Sequence, residues 1–158
     1  MTFTYMDVYL PSFMKDLYNS IQLRRPEGVE MTLDACPDII FNIDRNRLWQ
    51  ICMNLLTNAV KHTKKGHIWF GYTLEAEEKM IKFYVSDTGC GIPKDELDNI
   101  FARFVQLSDF EQGVGLGLAI CKGLVLKMGG NISVISEEGF GSTFIFTLPM
   151  KRPNSWKN

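Results

Sequence analysis

Three groups of residues have the types and spacing to do chemistry. Asn54, Asn58 and Lys61 recur at i, i+4 and i+7 within Asp44–Thr63, DRNRLWQICMNLLTNAVKHT. On a helix they stack within a narrow arc beside an apolar stripe of Leu48, Ile51, Cys52, Leu55 and Ala59. Asn is a poor helix former because its amide competes for the backbone. Two on one face, with a cation a turn later, need something to hold; alone, the stripe reads equally well as a solvated face. The second group is Asp87-Thr88-Gly89-Cys90-Gly91-Ile92-Pro93. Gly89 and Gly91 let the backbone turn sharply and approach a ligand. An ionised Asp87 only accepts, so it selects a ligand with an amino group. The third is Gln112 to Leu118, QGVGLGL. Alternating glycines followed by a helix present free N–H groups and a helix dipole, which suit phosphate. Either loop alone is also an ordinary turn. The chain lacks GxxxxGK[ST], and GVGLG follows a polar segment where a dinucleotide fingerprint needs a hydrophobic strand.

The elements that must position these groups follow from periodicity. Asp44 is a good N-cap for the central helix. Residues 1–10 read as a strand or the end of an upstream element. Pro11 to about Leu23 reads as a helix with Phe13, Met14, Leu17, Tyr18 and Ile21 on one face. Glu30–Cys36 and Asp38–Ile43 read as strands. So do His67–Ala76 and Met80–Ser86, joined as a hairpin through Glu77, Glu78 and Lys79. Lys94–Phe101 is expected to be a short helix. Val114–Met128 is expected to be a longer one, ended by Gly129-Gly130. Asn131–Ser136 and Ser142–Leu148 are expected strands. Val105–Gly113 is polar and aperiodic, and is expected to be poorly ordered without ligand. Residues 1–150 read as one domain and 151–158 as a polar tail or linker. The mixed order of helices and hairpins predicts a two-layer α/β sandwich: a mixed, largely antiparallel sheet covered on one face by helices.

Composition narrows the classes. The 158 residues suffice for one domain with a real core. A net charge of −1 gives no electrostatic case for nucleic acid or an anionic membrane. No apolar run reaches the ~18 residues of a membrane span, and MTFTYMDVYL is no signal peptide. Cys36, Cys52, Cys90 and Cys121 show no ligand spacing. They read as reduced residues of an intracellular protein, two of them core hydrophobes on helices.

The order of the pieces carries more than any one of them. NLLTNAVKHT, VSDTGCGIP, IFARF, GVGLGLAICKGLVLKMGG and GFGSTFIFTLP, in that order, resemble the ATP-binding catalytic domain of sensor histidine kinases. That family shares its Bergerat-type nucleotide fold with gyrase-type ATPases and heat-shock chaperones. The resemblance runs from about Leu10 to Pro149. It implies ATP and Mg²⁺ as ligands. Asn58 matches the Mg²⁺-holding residue, and Asn54 lies one turn earlier toward the phosphates. Lys61 matches a phosphate-contacting base, and His62 falls where an aromatic or His lies near the sugar. Asp87 matches the adenine reader. Gly89 and Gly91, with Ile92 beside them, match the first glycine box. Phe101 and Phe104 match the aromatic box of the lid. Gly113, Gly115, Leu116 and Gly117 match the second glycine box. Thr143 matches a hydroxyl that helps read adenine through water.

The departures from the pattern shape the functional expectation. Hydrolytic relatives carry a Glu one turn before the Mg²⁺ residue; Asn54 stands there and cannot act as a general base, so hydrolysis is expected to be poor. That argues against a gyrase- or chaperone-type motor. The resemblance implies a protein-histidine kinase domain. It would give the γ-phosphate to a histidine on a separate dimerising hairpin that this chain does not contain, with a response regulator downstream. The domain alone is expected to be monomeric, the full kinase homodimeric, and the location cytoplasmic, as part of a membrane-anchored sensor. Gln106 replaces a common lid Arg, as in hybrid-type kinases, leaving Arg103 and Lys122 as candidate replacement cations. This cation-poor lid motivates the alternative, a nucleotide-binding regulatory module that docks on a partner without phosphotransfer.

Overall fold

The computed structural model describes residues 2–102 and 114–150, apart from the side chains of 114–116. The expectations for Arg103, Phe104, Val105–Gly113 and the 151–158 tail lie outside the described residues, as do those for the side chain of Leu116.

β1 (Met6–Tyr9) runs into α1 (Leu10–Gln22), followed by β2 (Val29–Leu33) and β3 (Ile40–Ile43). Next come α2 (Arg45–His62), β4 (Gly66–Glu75), β5 (Met80–Asp87) and the short α3 (Lys94–Leu97). α4 (Val114–Lys127), β6 (Asn131–Glu137) and β7 (Gly141–Pro149) complete the chain. The main sheet has the order β2-β4-β5-β7-β6. Only β2 and β4 run parallel; the other pairs are antiparallel. The expected mixed, largely antiparallel sheet with helices is therefore the observed architecture. One feature lay outside the expectation: among the described residues β1 and β3 pair only with each other, as a two-stranded ribbon.

Partners across an antiparallel ladder point to the same face, so the register sorts the sheet into rows. Tyr72, Phe83, Phe146 and Ile132 form one inward row, and Phe70, Val85, Phe144 and Val134 the next. Phe83 and Phe146 stack at 4.8 Å, and Tyr18 of α1 stacks on Phe70 at 6.5 Å. This inward face is the one the helices cover. Leu10, Phe13, Met14, Leu17 and Ile21 of α1 are all buried, each worth roughly 1.5–3 kcal/mol of apolar transfer.

α2 is organised as its sequence dictates. Asp44 caps it, Oδ1 accepting from Arg47 N–H at 3.1 Å while Oδ2 accepts from Thr4 N–H at 2.8 Å. Leu48, Ile51, Cys52, Leu55, Leu56 and Ala59 fill the buried face. Cys52 and Cys121 are the two core cysteines, and all four cysteines are free thiols. The expected helix over Lys94–Phe101 shortens to one turn at Lys94–Leu97. It has no buried residue to anchor it, and Asp98 and Asn99 favour turns over helix interior. No helix among the described residues is long and apolar enough to cross a membrane.

Candidate functional site

The inward row beyond Phe70 and Val85 changes character. Ile68, Asp87, Ser142 and Ser136 stand side by side across β4, β5, β7 and β6. β5 drives Asp87 inward at the end of an apolar strand, leaving it 5% exposed. Its Oδ1 accepts from Gly89 N–H at 2.8 Å. Burial raises its pKa above the ordinary aspartate value; the Gly89 N–H, the charge of His62 and the Ser142 N–H oppose that rise without cancelling it.

The loop after Asp87 lies against the end of α2. Cys90 N–H donates to the His62 carbonyl at 3.1 Å. A Cβ on Gly89 would stand 2.2 Å from that same carbonyl oxygen, so only glycine permits the approach. Gly91 sits at φ +71 against the Glu137 carbonyl, a second place where a side chain is excluded. Ile92 N–H donates to Ser136 Oγ at 2.8 Å.

α2 carries the expected polar stripe, most deeply buried at its middle member. Asn54 is half-buried, Asn58 is 8% exposed, and Lys61 in the last turn is exposed. Asn54 Nδ2 donates to the Gly117 carbonyl at 3.3 Å, which ties the second glycine loop's helix to α2. Asn54 also hydrogen-bonds the Cys121 thiol, which burial pushes up to about 12 and so keeps protonated. Asn58 Oδ1 is buried with no hydrogen-bond partner among the described residues. Such an oxygen costs stability until something satisfies it. A hard oxygen donor suits Mg²⁺, which needs only one or two protein ligands when phosphates and waters complete its shell. The residues present fit that ion. His62 Nδ1 lies 3.7 Å from Cys90 Sγ, so its ring borders the Asp87 loop.

α2 is thus a common wall for the Asp87 loop and for the first turns of α4 at Gly117. The structure brings Asn54, Asn58, His62, Asp87, Gly89, Gly91, Ile92 and Gly117 onto or against it and its neighbouring loop. It does not bring Thr143 to them. Thr143 pairs with Ser86 on the opposite sheet face, the two hydroxyls 2.7 Å apart. Ser142, one residue earlier and 8% exposed, is the hydroxyl that faces the same way as Asp87. Sequence alone did not separate the two hydroxyls, because they differ by one step of a period-two strand and so point to opposite faces. Ser136 was also missed, since a serine in an edge strand carries no signal until its partners are known. Phe101 packs edge-on to Phe144 at 6.1 Å, which places the first half of the aromatic box against the sheet. Gly115 lies in the first turn of α4.

Chemically, the arrangement offers a buried acceptor in Asp87, an unsatisfied hard oxygen in Asn58, and cationic side chains at the solvent end of α2. Residues 43–152 match the family described as histidine kinase-, DNA gyrase B-, and HSP90-like ATPase. The chain is 41% identical to hybrid signal transduction histidine kinase B of Dictyostelium discoideum over 157 residues, covering 91% of this chain and 8% of that protein. It is 40% identical to the aerobic respiration control sensor protein ArcB of Escherichia coli over 145 residues, covering 87% of this chain and 18% of that one. The crystal structure of full-length ShkA in complex with AMPPNP superposes with a TM-score of 0.85 at 31% identity, covering 97% of this chain and 32% of that one. The chain therefore spans less than a fifth of these two sequence relatives. Sequence motif, sheet order and site geometry converge on one conclusion: the chain belongs to the histidine kinase-, gyrase B- and HSP90-like ATPase family.

Proposed function

We propose that this domain binds Mg·ATP and donates the γ-phosphate to a histidine on a separate dimerisation hairpin, for relay to a response regulator. The observation that carries the reading is the buried Asn58 oxygen, unpartnered among the described residues, on the helix against which both Gly89 and Gly117 pack. Asp87 would accept from the adenine amine, a charge-assisted bond worth about 1.5–3 kcal/mol. Ser142 takes over the water-mediated role first given to Thr143. Mg²⁺, when bound, supplies charge neutralisation at the phosphates, with Asn58 as its protein ligand. Lys61 and the first N–H groups of α4 would hold the phosphates, and His62 would border the sugar. Asn54 holds α4 in register and offers no basic group to activate water, so the γ-phosphate is retained for an acceptor. In the transfer the bond between the γ-phosphorus and its bridging oxygen breaks, a P–N bond forms, and ADP leaves.

The reading places the domain on the cytoplasmic side, where ATP is available. It makes the isolated domain a monomer and the full kinase a homodimer. The test is to mix the domain with a dimerising His-bearing hairpin and γ-labelled ATP. Acid-labile, alkali-stable label on the hairpin is expected. Tight ATP binding with no label transfer would establish instead the partner-docking module, which the cation-free sequence of 105–113 favours.

A further inference from the structure

Ser136 Oγ has three polar neighbours. The Ile92 N–H lies 2.8 Å away, the Gly141 carbonyl 2.8 Å away and Ser142 Oγ 2.9 Å away. A hydroxyl owns one hydrogen and two lone pairs. A carbonyl cannot donate, so the Ser136 hydrogen goes to Gly141. An N–H cannot accept, so Ile92 takes one lone pair. Only a lone pair remains for Ser142, and Ser142 must therefore be the donor in the serine–serine contact. With its own hydrogen committed, Ser142 Oγ has only lone pairs left to offer. Ser142 stands directly across from Asp87 on the same face, and an ionised carboxylate also only accepts. Asp87 and Ser142 thus form a floor of two acceptors with no hydroxyl hydrogen of their own to offer.

We propose that Ser136, which lies behind Ser142, is a positioning residue that sets base specificity: it fixes Ser142 as an acceptor, so the floor accepts from a base edge and offers it no donor. This rests on the nucleotide reading above. A purine edge that carries an amine and approaches the floor directly meets two acceptors. A keto edge, such as that of hypoxanthine, brings a carbonyl to a floor that has no hydrogen for it. Removing the Ser136 hydroxyl releases the Ser142 hydrogen to turn toward the pocket, where it can serve a keto oxygen.

The test is calorimetric titration, with Mg²⁺, of ADP and inosine diphosphate into the wild type and Ser136→Ala, Ser136→Thr and Ser136→Ala/Ser142→Ala. In Ser136→Ala the preference for ADP over inosine diphosphate is expected to fall about tenfold, largely through gained inosine binding. Ser136→Thr keeps the hydroxyl and should restore the preference. In the double variant the gain should vanish, because the freed hydrogen is gone. If Ser136→Ala fails to fold, Ser136→Val, which matches the Thr variant in shape but has no hydroxyl, carries the same expectation as Ser136→Ala. A merely structural role would weaken both ligands in proportion, and an unchanged ratio in a variant that binds ADP overturns the proposal alone. A folded wild type that binds no nucleotide removes the nucleotide reading and this proposal together.

Discussion

The side-chain amide of Asn54 donates to the backbone carbonyl of Gly117 across 3.3 Å, and this bond joins α2 to the first turns of α4. Asn54→Asp keeps the size but replaces a donor with a second acceptor facing that carbonyl. The expected loss is about 1–3 kcal/mol, read by chemical denaturation of the domain without nucleotide. A smaller loss than in a control surface substitution would mean that α4 is held by its apolar face alone.

Asn58 should show the opposite balance. Its orphaned oxygen is a cost in the empty domain. Asn58→Leu removes the unsatisfied group at similar volume, so stability without nucleotide should hold or rise. Mg²⁺-dependent nucleotide affinity should fall by about ten- to a hundredfold, equivalent to roughly 1.5–3 kcal/mol. Thermal unfolding and titration with and without Mg²⁺ separate the two effects.

Asp87 predicts a pH dependence whose sign follows from its burial. The folded state holds its pKa above the ordinary value of 3.8, burial being the main cause. The folded state therefore binds the proton more readily than the unfolded chain. Its ionised form costs stability above the folded pKa, and that cost is relieved as pH falls through it toward 3.8. Asp87→Asn should consequently stabilise the empty domain at neutral pH and flatten this part of the acid profile. Base recognition needs the carboxylate ionised, so nucleotide affinity should decay on acidification at a pH higher than an exposed aspartate would give. Affinity that persists well below pH 3.8 would exclude Asp87 as the acceptor.

The Gly89 contact makes a steric prediction. A methyl group at this position would meet the His62 carbonyl oxygen at 2.2 Å. Gly89→Ala must push the loop off the end of α2, at a cost of about 2 kcal/mol or more. Because Gly89 N–H also holds Asp87 Oδ1, nucleotide affinity should fall with stability. Denaturation and titration of one preparation check both; normal affinity would show that the loop relaxes without moving Asp87.

What the sequence made legible was local and periodic. α2 could be read because cap, apolar stripe and polar stripe lie within a few turns of each other, and the hairpin strands because their alternation survives without partners. The ribbon of β1 and β3 could not, since Met6 meets Ile43 only through long-range pairing. The same limit produced the exchange of Thr143 for Ser142: both are hydroxyls in one strand, and only the register with Ser86 and Asp87 tells inward from outward. α3 was read too long because the chain after Leu97 continues in turns, which Asp98 and Asn99 favour over helix interior.

Asp44 carries a mechanical consequence. Its buried carboxylate grips two backbones at once, Thr4 ahead of β1 and Arg47 in the first turn of α2. A pull on the chain ahead of Thr4 is therefore delivered to the near end of the rod that bears Asn54 and Asn58. The carboxylate works as a shackle between the strand-entry segment at Thr4 and the start of α2.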